Sequence, residues 1–422
     1  MTNRACGFLW ALALIAGVAP GALAAPLTLA QCLTRARSRS TQAVQAALAE
    51  GRAKAAHAEA VAGLRPQLLI NGRLTRSDDA STNLPDDNNA TLRLQQSLDP
   101  LAPEWAQADQ RAAEARAAEL SRVETSADVD LQIKQLYFSI LQDQDAVASI
   151  QKVSEETKKL LDNVLPKFEM GRAPAFDPVK VRLSLADLSL ARGLAQSRLD
   201  GERETLAMAV GLADSPDLDL APVLVDTSDA ATDLSTSAVQ GNPTFGTLEQ
   251  EVRAAELGLT AARRARWPDL TGALEYGYAD YTTSGMSRGW AATLNLSMPL
   301  YDWGRISAQI SRQDGAVREA NNRLEARRQE ASAQIVRALG EAAAHARDQR
   351  ALAAILPDVR QAALIEVQRY RLGAAGILEA TDAVNLWLNT LLQERASYYS
   401  LLADQATLER LTGGRFTAAY DR

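Results

Sequence analysis

The chain has 422 residues, 23% of them charged and only 5% aromatic, and a formal net charge of −7. That acidic balance excludes the basic footprint of a nucleic-acid-binding protein. Two histidines in the whole chain argue against a histidine-based catalytic or metal centre.

The N-terminus has a charged start at Arg4, an apolar run from Phe8 to Val18 and the small-x-small triplet Ala22-Leu23-Ala24. This is the pattern of a secretory signal peptide over residues 1–24, cut after Ala24. The run is shorter than the roughly 20 residues a spanning helix needs. Cleavage leaves Cys32 as the one cysteine, so no disulfide framework is expected. Leu29-Ala30-Gln31-Cys32 faintly resembles a lipoprotein box, but Gln31 is too large before the cut. Cys32 is therefore expected as a small apolar residue of a helix.

Residues 25–65 form the first helical segment. Thr28 suits an N-cap, and Leu29, Leu33, Val44, Leu48, Ala55 and Ala62 recur at helical intervals over 28–63 until Pro66 stops the run. Residues 66–99 read as a hairpin. In its second strand Leu92, Leu94 and Leu98 alternate with Thr91, Arg93, Gln95 and Ser97, and an acidic polar loop over 78–89 joins the two strands.

From 100 to 212 the pattern is helical again, punctuated by Gly171. Ile133, Leu136, Tyr137, Ile140, Leu141, Val147, Ile150, Val153, Leu160 and Val164 keep mostly to steps of three and four. The roughly 70 residues from Pro100 to Gly171 would make a helix on the order of 100 Å long, far beyond the usual globular helix. Residues 213–241, rich in Ser, Asp, Thr and Pro, read as a peripheral segment.

Then the order repeats. Residues 242–265 form a helix, 266–299 a hairpin, 300–412 two long helices and 413–422 a tail. Pro268 follows Pro66 by 202 positions, and Gly373 follows Gly171 by the same 202. The chain is one structural unit written twice. In the second hairpin Leu270, Leu274, Tyr276 and Tyr278 alternate with Thr271, Ala273, Glu275 and Gly277. Trp290, Ala292, Leu294, Leu296 and Met298 alternate with Ala291, Thr293, Asn295 and Ser297. Strands of about ten residues with that dyad pattern are what a membrane barrel requires, apolar face toward lipid. Tyr276, Tyr278, Tyr281, Trp290, Tyr301 and Trp303 cluster here, as in the aromatic belts of membrane interfaces.

Four strands cannot close a barrel, and an open edge in lipid leaves amides unpaired at several kcal/mol each. The chain must therefore assemble. A homotrimer supplies twelve strands, within the range of closed barrels, and its long helices extend the ring into water as a coiled-coil tube.

These residues resemble the outer-membrane efflux protein family, the TolC family of channel-tunnels. The likeness covers nearly all of the mature chain. It rests on Leu27-Thr28-Leu29, on Leu64-Arg65-Pro66 and Arg266-Trp267-Pro268-Asp269-Leu270 before the strands, and on Met298-Pro299-Leu300-Tyr301-Asp302-Trp303-Gly304 after them. It rests also on the tip motifs Phe168-Glu169-Met170-Gly171 and Tyr370-Arg371-Leu372-Gly373.

The resemblance implies a trimeric 12-strand outer-membrane β-barrel continued by a periplasmic α-helical barrel. The protein would be a passive exit duct for an inner-membrane pump, joined by a periplasmic adaptor protein. Glu379 and Asp382 match the carboxylates that line the periplasmic aperture. Asp177 and Tyr370 match a pair that latches the coils shut. Met170-Gly171-Arg172 and Leu372-Gly373-Ala374 match the adaptor-docking turns. Ala375 departs from the pattern, for the family can place a basic residue there as a second latch.

Gly285-Met286-Ser287-Arg288-Gly289 spells the nucleophile elbow of serine hydrolases, which needs a strand before it and a helix after it. Here a strand follows, so no enzyme is expected. No phosphate loop, zinc spacing or dinucleotide fingerprint appears, so no cofactor is expected either. The competing reading is a periplasmic coiled-coil adaptor or structural rod, which would have no use for an apolar strand face.

Overall fold

A computed structural model describes residues 26–74, 88–212, 219–223, 242–279 and 287–414. The expected signal peptide, most of the 78–89 loop, nearly all of 213–241, Tyr281 and the end of the tail lie outside the described residues.

Four strands form one antiparallel sheet in the order β1-β2-β3-β4. They are β1 (Gln67–Leu74), β2 (Asn88–Ser97), β3 (Asp269–Ala279) and β4 (Ser287–Ser297). β2 and β3 are neighbours despite coming from opposite halves of the chain, with Leu92 opposite Tyr276 and Leu94 opposite Leu274. Tyr276 in turn faces Trp290, and Ile70 faces Leu92. Side chains alternate between faces along a strand. This register therefore puts Leu68, Ile70, Leu92, Leu94, Leu274, Tyr276, Trp290 and Leu294 on a single apolar face. All of it is open to the surroundings, Ile70 at 85% and Trp290 at 71%. The opposite face carries Thr91, Arg93, Gln95, Glu275, Thr293 and Asn295, and there Arg93 pairs with Glu275 at 3.3 Å. β1 and β4 are unpaired edges among the described residues.

Seven helices complete the described chain: α1 (Leu29–Arg39), α2 (Thr41–Gly63), α3 (Pro103–Glu169), α4 (Phe176–Val210), α5 (Pro243–Arg264), α6 (Arg305–Arg371) and α7 (Ile377–Thr412). α3 and α6 have 67 residues each and begin 202 positions apart. At 1.5 Å per residue each spans about 100 Å. The upper half of α3 buries alanines 106, 108, 113, 115 and 117, which let α2 and α5 approach closely. Its lower half switches to Val129, Ile133, Tyr137, Ile140, Ile150, Val153, Leu160 and Val164, packed against α4 and α7.

A helix of this length has no single core. One apolar cluster gathers around Tyr137, Phe138, Leu206 and Leu402. A second surrounds Leu160, Val181, Val384 and Trp387 nearer the tips. Between them sits a polar layer, where Tyr399 donates to Asp145 at 2.9 Å and Arg198 pairs with Asp143 at 3.3 Å.

One continuous helix over 28–63 was expected, but the chain breaks at Ser40, which has φ −57° and ψ 130°. α1 buries Leu29, Cys32 and Ala36 in the first cluster, whereas α2 buries nothing. The two segments serve different neighbours, and the break lets each point its own way. Thr28 caps α1 in a reciprocal box with Gln31. Tyr137 ties this start to residues 219–223 by donating to Leu27 O and Ala221 O at 3.1 and 2.6 Å. Cys32 is fully buried, and burial pushes its thiol up to about 11. It is a core residue of α1.

Candidate functional site: the joined helix tips

The helices end far from the sheet in two turns of the same kind. α3 closes with Gly171 at φ 67°, where Arg172 N donates to Lys167 O at 2.7 Å and Gly171 N to Phe168 O at 2.9 Å. α6 closes with Gly373 at φ 75°, where Ala374 N donates to Arg369 O at 2.8 Å and Gly373 N to Tyr370 O at 3.0 Å. Both are Schellman turns, and glycine is used because a Cβ in the left-handed region is strained. Neither glycine has another atom within reach of such a Cβ. Backbone sign, not crowding, sets the requirement. Met170 and Leu372 project from these turns, 59% and 75% exposed.

Asp177 and Tyr370 meet. Tyr370 Oη donates to Asp177 Oδ2 at 2.7 Å, with both residues buried. Burial first, then the hydrogen bond and charge of Asp177, push the Tyr370 phenol well above its usual range. The hydroxyl therefore keeps its proton and acts as a donor.

Lys167, which motif reading did not single out, reaches Tyr370 from the other side. Its Nζ donates to Tyr370 O at 2.8 Å and to Arg371 O at 2.9 Å, and sits 4.7 Å from the centre of the Tyr370 ring. The signal that could have found it is its repeat partner, Arg369. That side chain instead pairs with Glu366 at 2.7 Å and caps Ala374 O of its own turn at 3.3 Å.

Glu379 and Asp382 lie in the first turns of α7, three residues apart on one face, both exposed. Ala375 is part-buried in the turn before them. The tips contain a hydrogen-bonded hub and exposed carboxylates, with no nucleophile–base pair. Among the described residues no group of histidines, cysteines and carboxylates could hold a metal.

At the sheet, Tyr276, Tyr278 and Trp290 stand exposed at the end away from the helices. Tyr301 and Trp303 stack edge to face at 4.9 Å at the helical end. Trp303 takes φ 54°, held by Asp302, which accepts from Gly304 N at 3.0 Å and Ile306 N at 2.7 Å. Ser287 opens β4, with strand rather than helix after it. His57 lies on α2 and His345 on α6, where His345 bonds Asp404 at 2.6 Å. Neither histidine belongs to the hairpin. No helix among the described residues is long and apolar enough to cross a membrane.

Residues 234–414 match the family described as Outer membrane efflux protein, a stretch that begins just before α5 and ends just after α7. The outer membrane protein OprJ of Pseudomonas aeruginosa is 26% identical over 159 residues, which span 37% of this chain and 33% of that relative. The chain aligns with only about a third of that relative's length. Among solved structures, the Campylobacter jejuni CmeC outer membrane channel superposes with a TM-score of 0.81 at 17% identity, over 92% of this chain and 86% of that one. VceC of Vibrio cholerae gives 0.81 at 17% identity, over 92% and 97%. MtrE of Neisseria gonorrhoeae, in its open state, gives 0.80 at 17% identity, over 92% and 89%. At such identities the likeness shows a shared fold. The match to the Outer membrane efflux protein family over residues 234–414 and the shared fold of these outer-membrane channels point the same way.

Proposed function

We propose that this protein is the outer-membrane exit duct of a tripartite efflux pump or type I secretion system. One observation carries the reading: an open four-stranded sheet with a continuous exposed apolar face leads directly into two 67-residue helices. Such a sheet is stable only in lipid and only when its edges are closed. Three copies close it, β4 of one pairing with β1 of the next, into a 12-stranded barrel. From Trp290 to Met298 the apolar face runs about 27 Å along β4, close to the roughly 25 Å of a barrel's lipid band. Tyr276, Tyr278 and Trp290 would mark the outer interface, and Tyr301 and Trp303 the inner one.

Below the membrane the same closure makes a tube. Phe176, Val179, Leu183, Leu190 and Leu194 form an exposed stripe at coiled-coil spacing on α4, and α6 also leaves apolar side chains exposed, among them Ile355 and Ile365. In the closed ring these exposed apolar side chains would pack against those of a neighbouring copy. The 202-residue repeat of elements supports a duplicated unit, so the trimer presents six near-equivalent hairpins.

Solute would leave an inner-membrane pump, enter the tube and diffuse out; the protein supplies no chemical step and needs no cofactor. Tyr370 and Asp177 latch the periplasmic end, Glu379 and Asp382 ring the aperture, and the turns at 170–172 and 372–374 meet an adaptor. Opening is a two-state rearrangement of the tips.

The test is single-channel recording of the purified protein in a planar bilayer, with its oligomeric state read by crosslinking. A small conductance from a trimer is expected. A soluble, elongated, non-conducting species would favour the rod or adaptor reading.

A further inference from the structure

We propose that Lys167 is a second lock on the periplasmic end, a positioning residue that grips the carbonyl end of α6 and must release it before the tips part. The proposal rests on the duct reading above.

The last carbonyls of any helix lack partners along the helix and carry a partial negative charge. At the end of α6 the turn itself satisfies three of them: Leu372 N bonds Gln368 O, Ala374 N bonds Arg369 O, and Gly373 N bonds Tyr370 O. Arg371 O is left over, and Lys167 takes it while sharing Tyr370 O. The cap comes from α3, so it also ties two hairpins together. Tyr370 is held from both helices of the first hairpin, its hydroxyl by Asp177 of α4 and its carbonyl and ring by Lys167 of α3.

The repeat explains why this lysine crosses while its counterpart does not. Arg369 has Glu366 three residues before it and folds back onto its own turn. The position matching Glu366 in the first copy is Val164, a fully buried core residue. With no acid there, Lys167 extends to the other tip. The mirror image of the tyrosine link cannot form either. The position matching Tyr370 is Phe168, which has no hydroxyl, so Glu379 gains no such donor and stays exposed. Both locks therefore act in one direction, from the first hairpin onto the end of α6. With alanine at 375, the turn after Gly373 supplies no cation of its own, and Lys167 brings one from outside.

Removing a cation from a helix C-terminus shifts a two-state equilibrium about 3-fold per protomer, hence about 30-fold for three protomers moving together. The experiment compares full-length trimers of wild type, Lys167→Ala, Lys167→Arg and Tyr370→Phe by bilayer recording, with trimer melting measured on each. Lys167→Ala is expected to raise open probability by about that factor. Trimer melting should stay near wild type, and Lys167→Arg should return the channel to its closed state. Lys167→Ala that records like wild type, beside a Tyr370→Phe that opens, overturns the lysine lock and leaves the duct intact. Equal opening by Lys167→Arg and Lys167→Ala also overturns it, because charge would then be irrelevant. A wild-type trimer with no conductance removes the duct reading and the lock with it.

Discussion

Tyr370 Oη and Asp177 Oδ2 lie 2.7 Å apart and join the last turn of α6 to the first turn of α4. Both residues are buried, at 5% and 7% exposure. Tyr370→Phe keeps the ring and deletes the donor, leaving a buried carboxylate short of a partner. Such a loss costs about 1–3 kcal/mol. The expected outcome is a channel that opens more often in bilayer recordings, with its trimer retained on native gels.

Alkaline pH should reach the same link. The phenols of Tyr370, Tyr137 and Tyr399 are all pushed above the ordinary range, in each case chiefly by burial. A raised pKa means the folded state prefers the protonated form. Its contribution is complete below the unfolded value of about 10 and is lost as pH climbs through the folded value. Trimer melting temperature is expected to be insensitive to these groups between about pH 7 and 9 and to fall beyond about pH 10. Tyr370→Phe should show a smaller fall.

The two faces of β4 make a sharp contrast. Leu294 stands on the apolar face, halfway between Trp290 and Met298, and Thr293 beside it points to the polar face. Leu294→Arg should cost about 2–4 kcal/mol, the penalty for arginine near a bilayer midplane, and reduce membrane-inserted trimer. Thr293→Arg should insert normally. Equal behaviour of the two would contradict the assignment of the lipid face.

Gly277 faces Thr91 on one side and Gly289 on the other. A Cβ there would run into the carbonyl oxygen of Ala90 and stand 2.8 Å from Thr91 Cα, on a backbone with φ 157°. Gly277→Ala is expected to separate β2 from β3 locally, at a cost of order 1–3 kcal/mol. Heat-resistant trimer on gels should decrease.

Glu379 and Asp382 would place six carboxylates around the aperture of a trimer, a ring that favours cations. Replacing both with alanine should lower cation selectivity measured from reversal potentials in a salt gradient. Unchanged selectivity would remove them from the aperture.

Much of the architecture was legible because it depends on period. Alternation in β2, β3 and β4 assigns each residue to a face before any strand is paired, and steps of three and four from Ile133 to Val164 assign the buried stripe of α3. The turns at Gly171 and Gly373 were legible because an isolated glycine ending a long periodic run marks a left-handed cap. The break at Ser40 was not, since nothing in the pattern of 28–63 interrupts the helical period. It follows from α1 entering the cluster around Tyr137 while α2 does not. Lys167 was hidden for a related reason: a lysine in the last turn of a helix ordinarily serves its own helix.

By itself, the sequence determined the order of the main elements, the 202-residue spacing at which they recur and the apolar faces of β2, β3 and β4. These are local or periodic properties, and they follow from the geometry of a 3.6-residue turn and a two-residue pleat. Tertiary structure decided the partners. Tyr370 meets Asp177 while Phe168 and Glu379, the matching positions, do not form that bond. Lys167 crosses to α6 while Arg369 turns back. Arg410 reaches Asp128, 282 residues away in the chain, at 2.5 Å. A period states which side of a helix is buried, but the rotation and height at which two helices meet select the pair. Only the packed molecule fixes those two quantities.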